Sequence, residues 1–436
     1  MDTLLSPASN EIWYTNGNTS TPSYPYSIFG IVSNKYDESK GCWVIKLEYD
    51  LTEIRYEGFL TCQDFISIIL PNSVKSIQES AFQCCAFLES IFIPDSVIEI
   101  GECAFCDCIS LREVRISNNL KKLGQEAFRN CRDLISIVLP NTLTHIHAWT
   151  FYECENLKSI TIPSSIVSIE KEAFYKCKSL ENLIIPDSVL YIGEHSFSGC
   201  STMTHARLSN NLTIIADSTF SGCESLTDIE IPEKVESIGF YAFAECCNLS
   251  TVSFGKKVKY IGEAAFYGCK NLTRITIPEN IQFIDHSAFA NCSNLKFFQG
   301  KFRSDDSKCL IIDGKLTAFA PAGLTSYIIP DNVTTIAEDV FNGCENLISI
   351  TIPESVIKIK RDAFSFCNNL AAIYCKAPEP PIDQKYSPIF CFYRNADERK
   401  IYVPMESAKK YRSHSCWSEY IYDIVGYDFK TNSIAE

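Results

Sequence analysis

Residues 81–105 read AFQCCAFLESIFIPDSVIEIGECAF, which is one complete copy of a unit that recurs along most of the chain. Thirteen phenylalanines share one register: Phe59, Phe82, Phe105, Phe128, Phe151, Phe174, Phe197, Phe220, Phe243, Phe266, Phe289, Phe341 and Phe364. Every interval in this series is 23 residues, except the interval of 52 between Phe289 and Phe341. A fixed period of this length predicts one supersecondary unit stacked on copies of itself, which is a solenoid.

Apolar residues at fixed positions of the unit predict which side chains enter the core. Phe82, Cys85 and Leu88 are three residues apart, and this spacing places them on one side of a short helical or 3₁₀ turn. Ile91 and Ile93 occupy alternate positions, as the inward side chains of a β-strand do. The first half of the unit therefore predicts a turn followed by a short strand.

The second half of the unit predicts a corner and a return to the core. Pro94 has no N–H group for a strand ladder, so it ends the strand, and Asp95 with Ser96 forms the turn. Val97 and Ile100 then re-enter the core. One copy buries too little apolar surface to offset the entropy lost when its 23 residues become ordered, so neighbouring copies must stabilise one another.

The repeated pattern A-F-x-x-C-x-x-L-x-x-I-x-I-P-x-S-V-x-x-I-G resembles the BspA-type leucine-rich repeats over about residues 36–375. Such repeats are found in many surface and secreted proteins of host-associated microbes. The resemblance implies an α/β repeat solenoid, a right-handed leucine-rich-repeat array with a parallel β-sheet on the concave face and short turns or 3₁₀ segments elsewhere. It also implies a non-enzymatic adhesion protein, at the cell surface or secreted, that binds a host or microbial protein or glycan. The chain departs from the general leucine-rich motif because Ser or Asn precedes the Val by one residue rather than two.

Composition excludes several classes of partner. The chain of 436 residues has a formal net charge of −14, and its acidic residues are spread through the repeats. Nucleic acids and anionic membrane surfaces attract basic proteins, so we expect neither as a partner. The longest apolar runs are too short to span a bilayer, which predicts no transmembrane segment. We also expect a monomer.

The first residues, MDTLLSPASNEIWYT, show neither a basic n-region nor an apolar h-region, so no secretory signal is visible. Two interpretations stay open, a cytoplasmic chain and a chain whose leader has been removed. An intracellular protein-interaction scaffold is therefore the alternative to a surface or secreted binding protein.

The 22 cysteines do not indicate a disulfide framework. Thirteen of them lie three residues after a register phenylalanine: Cys62, Cys85, Cys108, Cys131, Cys154, Cys177, Cys200, Cys223, Cys246, Cys269, Cys292, Cys344 and Cys367. Stacked repeats are about 4.7–4.9 Å apart with parallel Cα–Cβ bonds. A disulfide requires Cβ atoms about 3.8 Å apart and turned toward each other. The spacing therefore predicts a column of small, buried, free thiols.

Metal and catalytic sites have weak signals. Five cysteines cluster in two adjacent repeats and suggest a Cys₄ zinc site: Cys84, Cys85, Cys103, Cys106 and Cys108. Because two of these belong to the buried column, we favour the absence of a zinc site. His145 and His147 have no evident third ligand and are interpreted as surface histidines. Since no catalytic or nucleotide-binding motif is present, we expect neither an enzyme nor a cofactor.

The register divides the chain into three predicted parts. Residues 1–35 are interpreted as a loop-rich leader segment with one strand at Ile12–Tyr14, 36–375 as the solenoid, and 376–436 as a linker and cap. Four apolar residues fit the inward register one unit upstream of the first full repeat and predict an opening repeat that covers the core: Ile45, Leu47, Leu51 and Ile54.

The irregular interval near the end of the solenoid predicts an insert over about residues 300–323. Asp313–Gly314 between two apolar runs predicts a type I′ β-hairpin. This hairpin is either a tolerated loop expansion, which we favour, or a projection from the rim that contacts a partner.

After Cys375 the repeat pattern fails. The stretch KAPEPPIDQ predicts a rigid, proline-rich link, and Ile401 and Val403 then repeat the strand once more. Residues 405–422 predict one amphipathic helix or two short ones. Their aromatic side chains either cover the last core layer, which we favour, or form a docking patch: Tyr411, Trp417 and Tyr420.

The outward positions of the predicted strands are the candidate binding surface. Most are small or hydroxylic, but a charged stripe departs from this pattern: Glu113, Arg115, His205, Arg207, Asp228, Glu230 and Arg274. We expect Arg207 and Glu230 to lie side by side as a cross-strand pair. The stripe is either a set of ordinary exposed charges or the ligand-binding part of the concave face.

Overall fold

The computed structural model describes most of the chain in four segments: residues 6–17, 20–25, 27–381 and 391–434. Residues 382–384 of the predicted proline-rich link lie outside the described residues. The chain divides into two compact units, Met1–Leu226 and Thr227–Glu436. Each unit is a solenoid of short parallel strands, so the predicted solenoid fold is confirmed.

Each regular repeat contributes two strands. A first strand begins eight residues after the register phenylalanine, and a two-residue second strand begins six residues before the next one. The strands of the first unit are, in chain order, β1 (Glu11–Thr15), β2 (Ile31–Asp37), β3 (Cys42–Leu47), β4 (Glu53–Ile54), β5 (Ser67–Ile69), β6 (Ser76–Ile77), β7 (Ser90–Phe92), β8 (Glu99–Ile100), β9 (Glu113–Arg115), β10 (Lys122–Leu123), β11 (Ser136–Val138), β12 (His145–Ile146), β13 (Ser159–Thr161), β14 (Ser168–Ile169), β15 (Asn182–Ile184), β16 (Tyr191–Ile192), β17 (His205–Arg207) and β18 (Ile214–Ile215).

Equivalent strands of most successive repeats pair in parallel, which creates a first-strand ladder and a second-strand ladder. Each ladder is divided into several sheets, and the first-strand ladder of the first unit is divided between β13 and β15. In the first-strand ladder, β7 and β9 align Ile91 with Val114 and Phe92 with Arg115. In the second-strand ladder, β6 and β8 pair in the same way. Side chains alternate along a strand, so the middle residue of each first strand points into the core and its two neighbours point outward.

The register phenylalanines form a continuous stack in the first unit. From Phe59 to Phe220, successive ring centroids are 4.8–5.8 Å apart and the ring planes differ by 14° or less. The rings are fully buried. Since each ring belongs to a different repeat, the stack joins the repeats through apolar contact as well as through the strand ladders.

The segment around each register phenylalanine adds a third set of contacts between repeats. The N–H of Phe82 donates to the carbonyl of Ala104, and the N–H of Cys84 donates to the carbonyl of Cys106, both at 2.8 Å. The predicted three-residue spacing is also present, because the N–H of Cys85 donates to the carbonyl of Phe82 at 3.2 Å. Backbone groups of this segment are therefore satisfied partly within the repeat and partly by the next one.

A left-handed backbone on both sides of each register phenylalanine prevents this segment from being a helix. The residues two positions before and two positions after the ring have φ between 52° and 75°, as at Ser80 and Cys84. Residues other than glycine occupy most of these positions. The left-handed region costs such a residue about 1 kcal/mol, so the hydrogen bonds between repeats must offset this strain. The segment is a series of reverse turns rather than the predicted helical or 3₁₀ turn.

The register cysteines form the predicted column of buried thiols, and all 22 cysteines are free. In most repeats the thiol donates to the carbonyl of the phenylalanine 26 residues earlier, as from Cys85 to Phe59 at 2.9 Å and from Cys367 to Phe341 at 2.9 Å. Burial raises the pKa of Cys223 to about 12. The column therefore supplies donors to buried carbonyl groups while it remains protonated.

The N-terminal segment covers the core in a way that the register did not predict. Strand β1 is antiparallel and lies between β3 and β5, in the order β5-β1-β3-β2. The predicted inward residues Ile45 and Leu47 are buried on β3, but β1 separates that strand from the first-strand ladder. Leu51 and Ile54 are buried as well, and β4 pairs with β6 as a regular second strand does. The division of the chain near residue 35 stays a prediction.

The second unit continues the two-strand repeat and adds short helices near the C-terminus. Its strands are, in chain order, β19 (Asp228–Glu230), β20 (Ser237–Ile238), β21 (Thr251–Ser253), β22 (Tyr260–Ile261), β23 (Arg274–Ile277), β24 (Phe283–Ile284), β25 (Phe297–Gly300), β26 (Cys309–Ile312), β27 (Lys315–Phe319), β28 (Ser326–Ile328), β29 (Thr335–Ile336), β30 (Ser349–Ile352), β31 (Lys358–Ile359), β32 (Ala372–Cys375), β33 (Lys400–Pro404), β34 (Ile424–Asp428) and β35 (Ser433–Ile434). Helix α1 (Ala408–Ser413) lies between two 3₁₀ turns, Met405–Ser407 and Ser418–Tyr420.

The predicted hairpin is present but does not project. Strands β26 and β27 are antiparallel, and Asp313 and Gly314 have φ of 49° and 75°, as a type I′ turn requires. Strand β27 then pairs in parallel with β29, where Leu316 lies opposite Ile336 and is fully buried. The hairpin thus supplies a second strand of the solenoid, so both a loop expansion and a projecting contact are wrong interpretations.

The solenoid extends beyond the last register phenylalanine. Strand β33 pairs with β32, as the positions of Ile401 and Val403 predict, and β34 pairs with β33 in parallel. Phe392 stacks on Phe364 at 5.2 Å and continues the ring column. The sequence did not predict β34 or the role of Phe392, because both fall outside the 23-residue register.

The C-terminal aromatic residues cover the last core layer. Tyr411, Trp417 and Tyr420 are buried, and the ring of Tyr420 meets Phe392 edge-on at 5.3 Å. The indole N–H of Trp417 donates to the carbonyl of Pro381 at 3.0 Å. Buried side chains with internal partners do not form an exposed docking patch.

Because of the thiol column, we expect stability to decline steeply at alkaline pH. Below about pH 9, the ordinary pKa of a thiol, the thiols are protonated in both the folded and the unfolded chain, so their full contribution to stability is present. Between about pH 9 and 12 the unfolded chain loses thiol protons and the folded chain keeps them, which lowers the free energy of unfolding by about 1.4 kcal/mol per pH unit for each buried thiol. Denaturant unfolding at a series of pH values, under reducing conditions, measures this slope.

Cys177→Ala provides the control for the alkaline effect, since the pKa of Cys177 is well above its ordinary value through burial. The variant should reduce the slope by the contribution of one proton. An unchanged slope would show that ionisation of the column does not cause the alkaline instability.

Candidate functional site

The outward face of the first-strand ladder in the first unit carries two rows of side chains. The row formed by the first residue of each strand is mainly polar: Ser67, Ser90, Glu113, Ser136, Ser159, Asn182 and His205. The row formed by the third residue mixes apolar side chains with arginine: Ile69, Phe92, Arg115, Val138, Thr161, Ile184 and Arg207. We call this second row the mixed row.

Apolar side chains in the mixed row are unusually exposed. Val138 is 75% exposed and Ile184 is 63% exposed. Their register partners are Thr161 and Arg207, so the apolar groups lie beside polar groups on a regular sheet. Exposed aliphatic groups on a rigid sheet face are available for contact with another molecule.

Both arginines of the mixed row have an acidic partner from the preceding repeat. Arg115 is 3.9 Å from Asp95, and its guanidinium lies 4.4 Å from the centre of the Phe92 ring. Arg207 is 3.8 Å from Asp187. These ion pairs are long and exposed, so they contribute little to stability. They nevertheless restrict the orientation of each arginine side chain.

The same two aspartates hold the backbone that follows each arginine. The carboxylate of Asp95 accepts the N–H of Asn118 at 2.9 Å, and that of Asp187 accepts the N–H of Asn210 at 3.0 Å. Here the sequence reads RISNNL from Arg115 and RLSNNL from position 207, in place of the usual strand ending with proline. This motif occurs twice, 92 residues or four repeats apart. It marks the two repeats in which an aspartate contacts both the arginine and the backbone that follows it, and the 23-residue pattern alone does not indicate this contact.

Every residue of the predicted stripe lies at an exposed position of a first strand. Glu113 shares β9 with Arg115, and His205 shares β17 with Arg207. In the second unit, three further stripe residues lie on β19 and β23: Asp228, Glu230 and Arg274. Asp228 and Glu230 align with Thr251 and Ser253 of β21. The predicted pairing of Arg207 with Glu230 joins residues of the two units and stays a prediction.

The two neighbouring histidines have protein partners. Their rings stack 5.8 Å apart. Nδ1 of His147 lies 3.1 Å from the carboxylate of Glu170, and Nδ1 of His145 lies 2.8 Å from the hydroxyl of Thr144. These contacts agree with the interpretation of the pair as surface histidines.

A group of metal-ligand atoms lies near the irregular cysteines, but its composition differs from the Cys₄ set. Cys85 and Cys108 belong to the column and donate to main-chain carbonyl groups. The thiols of Cys103 and Cys106 and a carboxylate oxygen of Glu126 lie within 4.8 Å of one another. Glu126 could not be recognised as part of this group within one repeat, because it lies one repeat away from the two cysteines.

A family model described as BspA type leucine-rich repeat region matches residues 9–135, 75–203, 122–246, 191–303 and 315–424. The chain belongs to the BspA-type leucine-rich repeat family. Membership of this family is compatible with a protein-binding solenoid. None of the described helices of this BspA-type protein is long and apolar enough to cross a bilayer.

Several solved bacterial structures are similar to this BspA-type chain. A leucine-rich repeat protein from Bacteroides ovatus is 25% identical, with 92% of this chain and 97% of that chain covered and a TM-score of 0.49. A leucine rich cell surface protein from Faecalibacterium prausnitzii is 23% identical, with 82% and 96% covered and a TM-score of 0.40. The pneumococcal vaccine antigen PcpA is 18% identical, with 87% and 85% covered and a TM-score of 0.34. A search of curated proteins found no match.

We expect Asp187→Ala to destabilise this BspA-type repeat more than Arg207→Ala does. The aspartate variant leaves the N–H of Asn210 without its acceptor and should lower the free energy of unfolding by about 1 kcal/mol. The arginine variant removes only an exposed ion pair and should cost less than that. Urea denaturation of both variants measures the difference, and an equal or larger cost for Arg207→Ala would contradict the role given to the backbone contact.

Proposed function

We propose that this BspA-type protein is a non-enzymatic binding solenoid that attaches to a protein or glycan through the outward face of its first-strand ladder. The observation that carries the proposal is the mixed row, in which exposed Val138 and Ile184 lie between two oriented arginines. The proposed role is adhesion to a host or microbial macromolecule at the cell surface or after secretion.

The mixed row has the composition of a protein-binding surface. Arginine and apolar or aromatic groups dominate the residues that contribute most to binding at interfaces. Arg115 is already oriented by Asp95 and the Phe92 ring, so it loses less conformational freedom on binding than a fully mobile side chain would. Two sheets lie beneath the row, with Val138 on the first and Ile184 on the second, and parallel pairing within each sheet keeps its contact groups in fixed relative positions.

The charged stripe residues supply further exposed groups in each unit. Glu113 and His205 flank the mixed row in the first unit, and the second unit presents Asp228, Glu230 and Arg274 at equivalent positions of its own first strands. Charges of both signs suit a polar protein or glycan surface. The net charge of −14 disfavours a nucleic acid partner.

The binding face can be tested by changing its apolar groups without changing strand propensity. Val138→Thr with Ile184→Thr keeps the β-branched shape and removes exposed apolar surface. After a screen of purified host surface proteins and glycans has supplied a ligand, we expect the double variant to raise its Kd by about tenfold or more. Leu190→Thr is the matched control, because Leu190 is 59% exposed but precedes the second strand β16.

An equal effect of Leu190→Thr and of the double variant would place binding away from the mixed row. A variant with both Arg207→Ala and Glu230→Ala tests the stripe separately, and unchanged ligand affinity would contradict its role. Far-UV circular dichroism of each variant distinguishes lost contacts from lost folding.

An intracellular scaffold is the second candidate function, and the 22 free cysteines favour it because reducing compartments keep thiols free. Protease treatment of intact source cells, followed by mass spectrometry of the released peptides, separates the two functions. We expect repeat peptides to be released before any cytoplasmic marker appears. Protection of the repeats until lysis would contradict adhesion and support the scaffold.

A further inference from the structure

The strongest unassigned feature of the first unit is a group of thiols and carboxylates on the turns around two register phenylalanines. Cys103 and Cys106 flank Phe105, and Glu126 occupies the position in the next repeat that matches Cys103. Both Cys103 and Glu126 have the left-handed backbone of that position, with φ of 53° and 56°. Repetition of one backbone conformation therefore places these two side chains next to each other on neighbouring repeats.

Backbone hydrogen bonds hold the three side chains together. The N–H of Cys103 donates to the carbonyl of Gln125 at 3.0 Å, which fixes the two repeats relative to each other. The N–H of Cys106 donates to the carbonyl of Cys103 at 3.0 Å, and this turn brings both thiols to one side. The two Sγ atoms and a carboxylate oxygen of Glu126 consequently lie within 4.8 Å of one another.

We propose that Cys103, Cys106 and Glu126 bind one Zn²⁺ ion, with water as the fourth ligand. Zinc binds thiolate at about 2.3 Å and carboxylate oxygen at about 2.0–2.2 Å, so the ligand atoms of a tetrahedral site are roughly 3.3–3.8 Å apart. The ligand atoms, which lie within 4.8 Å of one another, would have to approach by about 1 Å to reach this geometry. Two thiolates with one carboxylate favour zinc over the hard cations Mg²⁺ and Ca²⁺.

The charges around the site agree with this ligand set. On binding, each thiol releases one proton to solvent and its sulfur forms a bond to zinc, so two thiolates, one carboxylate and Zn²⁺ have a net charge of −1. Arg129 donates to a carboxylate oxygen of Glu126 at 2.8 Å, where it orients the carboxylate and offsets the negative charge. The Tyr152 ring, 5.5 Å from the guanidinium carbon, supports Arg129 from the next repeat.

Further polar groups border the site. Asp107 accepts the thiol hydrogen of Cys106 at 3.4 Å and lies 4.0 Å from the thiol of Cys84. The amide of Asn130 donates to the second oxygen of Asp107 at 2.5 Å. Asp107 thus orients the thiol of Cys106 by a hydrogen bond, while Cys84 stays outside the proposed ligand set.

The site is accessible from solvent and joins two repeats. Cys103 and Glu126 are partly exposed, whereas Cys106 is buried, so an ion can enter from the outer side of the turns. Bound zinc would connect a turn of one repeat to the equivalent turn of the next at strained backbone positions. Its role would be to stabilise this part of the solenoid, which is independent of the proposed binding face.

Metal titration of the full-length protein tests the site. The protein is purified with a phosphine reductant, freed of metal by chelation, and titrated with Co²⁺, whose visible bands report tetrahedral thiolate coordination. Zn²⁺ should then displace Co²⁺, and elemental analysis after gel filtration should find one zinc per chain. We expect Cys106→Ser to weaken Zn²⁺ binding by about 100-fold or more, and Glu126→Gln by about 10–100-fold.

Two cysteine variants serve as matched controls. Cys84→Ser removes the neighbouring thiol, and Cys247→Ser removes a partly exposed thiol that lies 3.7 Å from the carboxylate of Glu245 in the second unit. Both should bind zinc as the unaltered protein does. If Cys106→Ser does not fold, Cys103→Ser, at a partly exposed position, gives the same test.

Three results would overturn the proposal. The first is failure of the unaltered protein to retain zinc after gel filtration. The second is weakening by Cys247→Ser equal to that by Cys106→Ser, which would indicate nonspecific thiol binding. The third is weakening by Cys84→Ser with no effect of Glu126→Gln, which would replace the assigned carboxylate by a third thiol.

Discussion

Hydrogen bonding between successive repeats is the constraint on which the rest of the structure depends. A single repeat has N–H and carbonyl groups along both of its edges, and only the repeats before and after it can satisfy them. The ladders of first and second strands satisfy part of this demand, and the turns around each register phenylalanine satisfy another part. Because partners are 23 residues apart, any side chain that must lie at the interface between repeats recurs at the same interval.

The column residues follow from this constraint. In the first unit, parallel stacking brings each register phenylalanine onto the next, and the thiol three residues later reaches the carbonyl of the preceding phenylalanine. Cysteine suits this position since its sulfur is small and apolar and its S–H is a weak donor. The strained left-handed residues persist for the same reason, because their N–H groups complete contacts to the next repeat.

The sequence was sufficient to predict the repeat, its inward residues and its first strand, because apolar side chains at a fixed period report burial directly. The second strand was predicted only as a return of the chain to the core, since its two residues are too few to show an alternation. It was insufficient wherever the chain departs from the period. The antiparallel β1 lies between β3 and β5 through contacts distant in sequence, and Leu316 enters the ladder from a hairpin whose local pattern indicates only a turn. The left-handed residues also escaped prediction, since Glu, Ser and Cys at these positions lack the usual glycine signal.

The candidate sites show the same limit. Exposed positions of the first strands could be predicted from alternation, and all of the predicted stripe residues lie there. Their partners could not, because Asp95 and Asp187 belong to turns of the preceding repeat, and Glu126 reaches the thiols of Cys103 and Cys106 only after the repeats have stacked. Contacts of this kind are invisible within one repeat and become evident when residues 23 apart are compared as neighbours.

The duplicated RISNNL and RLSNNL segments place two similar surface groups at a fixed distance along the first unit. Four repeats separate them, which corresponds to about 19 Å at the usual spacing of adjacent strands. Adding or removing one 23-residue repeat between them would change the distance between Arg115 and Arg207 by one strand spacing without altering the contact of either arginine with its aspartate. The number of repeats between the two arginines therefore sets their separation in steps of about 5 Å, so the length of the gene determines a distance on the surface of the protein.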